Sequence, residues 1–149
     1  MNVLVTGLGG FIGQHVKSVF EGEGHRIYTV PREVLLPGGK TLQEATEGAD
    51  VIVNLAGENL MGRWTNEKMI EIVESRRVIT RNLVKAVNAS EKKPFLWINA
   101  SAVGIYKPDV FCDEESVDLG DNFLAAVVKA WEKELNTCLL YTSDAADEE

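Results

Sequence analysis

The run Val3-Leu4-Val5 ends in Thr6-Gly7-Leu8-Gly9-Gly10-Phe11-Ile12-Gly13, and three glycines at every third position (Gly7, Gly10, Gly13) open a segment of helical periodicity. Ile12, Val16, Val19 and Phe20 fall on one face at helical spacing, so the glycines sit where a strand turns into a helix. Gly7 permits the tight turn, Gly10 leaves room for a pyrophosphate against the backbone, and Gly13 lets the helix pack close to the strand. The free N–H groups and dipole of the helix start then face the phosphates, with Phe11 and Ile12 flanking them. Glycine-rich turns without a ligand are common. The strand–turn–helix context, beginning at residue 2, is what makes this one read as a dinucleotide-binding turn.

The rest of the chain suits such a domain. Its 149 residues are 45% hydrophobic and 26% charged, as expected of one globular domain. A net charge of −8 argues against nucleic acid or an anionic membrane as the main partner. No run is long enough to span a membrane, and Met1 opens directly onto a strand, so a cytoplasmic protein is expected. Cys112 and Cys138 form no disulfide framework and, with His15 and His25, no metal-ligand spacing; they read as free thiols. Both histidines read as surface residues.

The predicted order is strand 2–6, helix 11–22, strand 26–30, a short helix near 41–47, strand 50–55, helix 66–90, strand 95–100, loop 102–120 and helix 121–137. Apolar strands alternating with helices indicate an α/β, Rossmann-like, doubly wound parallel sheet, here with about four strands. Residues 1–137 are therefore expected to form an incomplete dinucleotide-binding domain. Residues 138–149 end in Asp144, Asp147, Glu148 and Glu149 with no base, half of the net charge of −8. They read as a disordered acidic tail or as non-native sequence resembling translated sequencing-adapter read-through.

The glycine loop, Asn54-Leu55-Ala56-Gly57 and Ser101-Ala102-Val103-Gly104-Ile105-Tyr106 together resemble the extended short-chain dehydrogenase/reductases. Ala56-Gly57-Glu58, Arg63-Trp64-Thr65, Ser75-Arg76, Asn99-Ala100-Ser101, Asp121-Asn122-Phe123-Leu124 and Trp131-Glu132 extend the likeness to an atypical, sugar-nucleotide-epimerase-like branch (NAD-dependent epimerase/dehydratase). Members of that branch are about twice this length, so the resemblance implies an N-terminal fragment, inactive by itself, of an oxidoreductase or epimerase acting on a small-molecule substrate. The sequence names neither that substrate nor the oligomeric state.

Strand 26–30 is followed by Pro31 and Arg32, with no acid at its tip to take a ribose 2′-hydroxyl. A guanidinium there suits a 2′-phosphate, and the resemblance also points to NADP. Arg32 as a solvated loop residue, with Glu33 taking the ribose of NAD, is the competing reading. The resemblance implies that Leu55, Ala56 and Gly57 bring small side chains and free backbone against the cofactor.

Short-chain dehydrogenases resemble one another in a Ser–Tyr–Lys set, the Tyr and Lys four residues apart on a helix. Ser101 is a plausible serine member. If Glu132 is aligned with that helix, Leu124 and Val128 occupy the other two places, and neither carries a proton. Tyr106 is the remaining candidate acid, though it matches a structural Tyr-Gly turn of the extended members. The long helix sets Arg76 within its apolar stripe (Met69, Ile72, Val73, Leu83, Val84, Val87), where the resemblance puts an active-site asparagine. A structural salt bridge, a cofactor contact and a substrate-anion contact are all open for it. Arg63-Trp64 reads as part of a lid or as structural. The leading expectation is an NADP-binding, epimerase-like oxidoreductase. A nucleotide-binding regulatory protein that has lost catalysis is the alternative.

Overall fold

The computed structural model describes residues 1–140; the expectation for 141–149 lies outside the described residues. Four parallel strands, β1 (Asn2–Thr6), β2 (Arg26–Tyr28), β3 (Val51–Asn54) and β4 (Leu96–Asn99), form one sheet in the order β2-β1-β3-β4. After β2 the chain crosses back over β1 to start β3. The carboxyl ends of β1 and β3 therefore flank the point where strand order reverses, the place where open α/β sheets bind ligands. Register aligns Thr6, Asn54 and Asn99 across that edge.

Strand alternation assigns the faces. Val3, Val5, Val51 and Val53 pack under Val16 and Phe20 of α1 (Phe11–Gly22). Leu4 and Ile52 face the other way, onto Leu42 of α3 (Lys40–Glu47) and Ile79, Leu83 and Val87 of α4 (Asn66–Ala89). Cys138 and Leu140 also pack against this second cluster. On β4, Leu96 and Ile98 stay exposed, so the α1 side of this edge strand is uncovered among the described residues.

Two elements differ from the sequence expectation. β2 stops at Tyr28, and a single turn of helix, α2 (Arg32–Leu35), follows Pro31. Four residues give no readable periodicity, while Pro31 presets the entry into that turn. The last helix, α5 (Phe123–Lys133), tightens into a 3₁₀ turn over Glu134–Thr137. Thr65 caps α4 by accepting from the Lys68 N–H, and Asn122 caps α5 by accepting from the Ala125 N–H.

Candidate cofactor-binding site

The α1 terminus is built unlike those two. Its N-cap is Gly10, no side chain caps it, and no acid stands in its first turn. The first amides of the helix are thus left for an external acceptor. Gly7 has φ +71°, and a Cβ there would stand 2.8 Å from the Leu55 carbonyl oxygen. A Cβ on Gly13 would stand 2.3 Å from the Gly7 carbonyl oxygen, so only glycine allows the helix this close. A Cβ on Gly10 would meet only the Gly7 oxygen, at 3.3 Å; that position faces open space. Phe11 and Ile12 are 82% and 61% exposed beside it, apolar surface left uncovered at the loop.

Two cavities meet at Gly7. The smaller, about 300 Å³, is lined by Gly9, Thr29, Arg32, Ala56 and Gly57. The larger, about 580 Å³, runs past Gly10, Ile12 and Leu55 to Arg76, Ser101 and Trp131. Arg32 Nη1 donates to Glu58 Oε2 at 3.2 Å, and Lys68 Nζ donates to Oε1 of the same carboxylate at 2.9 Å. Those two bonds, the Lys68 one foremost, hold the Glu58 carboxyl below its usual range.

Arg76 is half-buried. Its Nη1 donates to the carbonyl oxygens of Ile72 and Glu58, both at 3.1 Å, and its Cζ lies 5.3 Å from the Trp131 ring centroid. It makes no ion pair among the described residues, so the salt-bridge reading finds no carboxylate. Burial lowers its pKa, and the nearby Glu58 charge acts in the opposite sense. Gly57 lies against it: a Cβ there would stand 2.7 Å from Cζ, so a glycine expected to face the cofactor also makes room for this guanidinium.

Ser101 Oγ donates to Glu132 Oε1 at 2.5 Å. Both line a third cavity, of about 500 Å³, together with Tyr106 and Glu114. Ser101 borders this space and the larger glycine-loop cavity alike. Tyr106 is held in an antiparallel bridge with Leu119. Leu124 and Val128 do line the larger cavity, where they offer it only carbon. Trp64 packs edge-on to Phe123 with centroids 5.4 Å apart and donates through Nε1 to the Leu60 oxygen, tying the loop after β3 to α5.

Sequence reasoning missed what holds this edge together. Thr6 Oγ1 donates to Asn54 Oδ1 (2.6 Å) and accepts from the Leu55 and Ala56 amides. Asn54 Nδ2 donates to Thr80 Oγ1 and Asn99 Oδ1, and Trp131 Nε1 donates to Thr80 Oγ1. This buried polar network joins β1, β3, β4, α4 and α5 directly beneath the cavities. Its partners lie 26 to 51 residues apart; the only sequence signal was a polar residue ending each of three apolar strands.

Among the described residues no helix is long and apolar enough to cross a membrane, and no cluster of His, Cys, Asp and Glu could hold a metal ion.

A family model described as the NAD dependent epimerase/dehydratase family matches residues 3–122. The chain is 35% identical over 148 residues to the epimerase family protein YfhF of Bacillus subtilis, covering 90% of this chain and 49% of that protein. To the mouse epimerase family protein SDR39U1 it is 36% identical over 141 residues, covering 89% and 48%. Among solved structures, human SDR39U1 (isoform 2) with NADPH superposes with a TM-score of 0.77 at 31% identity, covering 90% of this chain and 48% of that one. The nucleoside-diphosphate sugar epimerase from Corynebacterium glutamicum gives 0.72 at 29% identity, covering 98% and 32%. The chain spans about half the length of the curated relatives it matches.

Proposed function

The chain belongs to the NAD dependent epimerase/dehydratase family, and from that premise we propose that it forms the NADP-binding part of an epimerase-like oxidoreductase acting on a small molecule. The observation that carries this reading is the pair of cavities meeting at Gly7 around an uncapped helix start. A dinucleotide is elongated, with a dianionic pyrophosphate in its middle and a group at each end, and that arrangement accommodates its middle at the amides and its ends on either side. NADPH bound to the human relative in its solved structure supports the same choice of cofactor.

The bound nicotinamide would supply or accept a hydride; the chain's residues do the rest. The amides at the start of α1 hold the pyrophosphate. Arg32, in the smaller cavity, is placed for the 2′-phosphate that separates NADP from NAD. Ser101 borders both the cofactor cavity and the third cavity; its one hydroxyl proton points to Glu132, so it turns from that carboxylate to donate to a substrate carbonyl oxygen, or stays and accepts from a substrate hydroxyl. Tyr106, on the wall of that cavity, is the second candidate for proton transfer. The test is titration with NADPH and NADH, read by fluorescence of the bound nicotinamide. Saturable binding with NADPH the tighter is expected; no binding of either ends the proposal.

A further inference from the structure

Charge divides at Ser101. On the glycine-loop side each cavity is lined by one guanidinium, Arg32 in the smaller and Arg76 in the larger. Beyond Ser101, the third cavity has two carboxylates in its lining, Glu114 and Glu132, and no cation among the described residues. Neither carboxylate makes an ion pair among those residues. Glu132 Oε1 accepts the Ser101 proton, while its Oε2 has no partner there. The lysines on the surrounding elements are engaged elsewhere or stand outside. Lys107 pairs with Asp118 at 2.7 Å, Lys129 donates to the Gly120 oxygen at 2.6 Å, and Lys133 does not line the cavity.

The loop after β4 builds this wall. It is closed at its base by the Tyr106–Leu119 bridge and by the Gly120 N–H donating to the Ile105 oxygen. Inside it, Ser116 Oγ accepts from the Asp113 N–H and donates to the Asp113 carboxylate, which also accepts from the Glu115 N–H. That turn uses Asp113 internally and leaves Glu114 on the cavity wall. Residues 107–121 carry Asp109, Asp113, Glu114, Glu115, Asp118 and Asp121 against Lys107 alone. A cleft with one sign of charge concentrates ligands of the other sign and repels its own. The free positions of Glu114 and Glu132 are acceptors, so a ligand is held there by donors it brings. A phosphate or carboxylate meets only like charge, which selects against it. On the reading that Ser101 presents substrate to the cofactor, which this inference rests on, we propose that the third cavity takes a substrate end rich in hydrogen-bond donors, hydroxyls or an ammonium, and free of acidic groups. Its donors go to Glu114 and to Glu132 Oε2.

The test titrates the NADPH-saturated chain with glucosamine, glucose and glucuronate, which share a ring and differ in charge. Amide NMR shifts of residues 101–106, Glu114 and Glu132 are followed at mildly acidic pH, where the amine is protonated and the carboxylates are ionised. Glucosamine should shift these amides saturably and glucuronate should not. Glucosamine tighter than glucose assigns the ammonium; equal affinity assigns the hydroxyls. Glu132→Gln keeps an oxygen for the Ser101 proton, so it and Glu114→Gln preserve the fold, which their amide spectra check. Each should weaken glucosamine by roughly three- to tenfold, whereas Glu115→Gln, which removes the same charge outside the lining, should leave it within about twofold. Glucuronate binding at these amides as tightly as glucosamine overturns the proposal. Unchanged affinity in both cavity variants, or equal weakening in Glu115→Gln, overturns it too. So does the lack of any shift with all three sugars, and in each of these cases the cofactor reading stands because NADPH has saturated the chain. If the chain does not bind NADPH, that reading falls and this assignment with it.

Discussion

Arg32 and Glu58 meet at 3.2 Å, and the same carboxylate also accepts from Lys68 at 2.9 Å, so the guanidinium proposed to take a 2′-phosphate is engaged before any ligand arrives. The pair is solvent-accessible and of modest strength, and a dianionic phosphate outcompetes one shared carboxylate. Arg32→Ala should weaken NADPH by roughly ten- to a hundredfold and leave NADH nearly unchanged. Glu58→Gln should instead tighten NADPH, because it removes both a competitor and a negative charge. Calorimetry on both variants checks this. Equal loss for the two cofactors in Arg32→Ala would place Arg32 in the fold or on the shared phosphates.

Chemistry at this site should not need a Tyr–Lys pair on α5, since Leu124 and Val128 stand there. In an active form of the protein, assayed by NADPH consumption with a panel of aldehydes and ketones, Ser101→Ala should lower kcat by roughly tenfold or more with cofactor affinity kept. Glu132→Gln should fall between that variant and the unaltered protein, and Tyr106→Phe should be mild. Collapse of turnover in Tyr106→Phe, with binding intact, would make Tyr106 the acid.

The buried network under the site should matter to stability more than any surface pair. Asn54→Ala leaves Thr6, Thr80 and Asn99 each short of a partner and should cost on the order of 2–4 kcal/mol in denaturant unfolding. Arg77→Ala, which breaks an accessible pair with Glu74, should cost about 0.5 kcal/mol or less.

Tyr28 gives a pH signature. Burial foremost, and then the Asp50 charge, push its hydroxyl up to about 12, and it donates to the Ala45 oxygen at 2.5 Å. The unfolded chain ionises Tyr near its ordinary value of 10.0, before the folded chain does. The Tyr28 contribution to stability is therefore whole below pH 10 and lost as pH rises toward 12. Thermal melts across this alkaline range should fall more steeply for the unaltered chain than for Tyr28→Phe. Identical slopes would contradict it.

Local signals explain what the sequence made legible. β1, β3 and β4 are apolar runs, β2 keeps Ile27 and Tyr28 beside the turn at Gly24, and the helices carry apolar stripes, so every sheet strand and helices α1, α3, α4 and α5 were readable. Gly7 and Gly13 were readable as well, because a positive φ and a close backbone approach leave no other residue type. What escaped was pairing across distance. Nothing near Ser101 announces that its hydroxyl meets Glu132, 31 residues on. Nothing near Gly57 announces that its missing side chain makes room for Arg76. The helical stripe did show that Arg76 points inward; only the fold shows that it forms no ion pair among the described residues, with the Glu58 charge nearby but paired to Arg32 and Lys68.

The central claim is that a dinucleotide phosphate lies at the start of α1, and Gly10→Glu addresses it most directly. A Cβ at Gly10 approaches only the Gly7 oxygen, at 3.3 Å, so the turn gives by a few tenths of an ångström and the fold persists. The carboxylate then projects into the space in front of the helix amides. Calorimetric titration with NADPH should show saturable binding to the unaltered chain and none to Gly10→Glu, with both melting cooperatively. NADPH binding to folded Gly10→Glu with unchanged affinity would contradict the account.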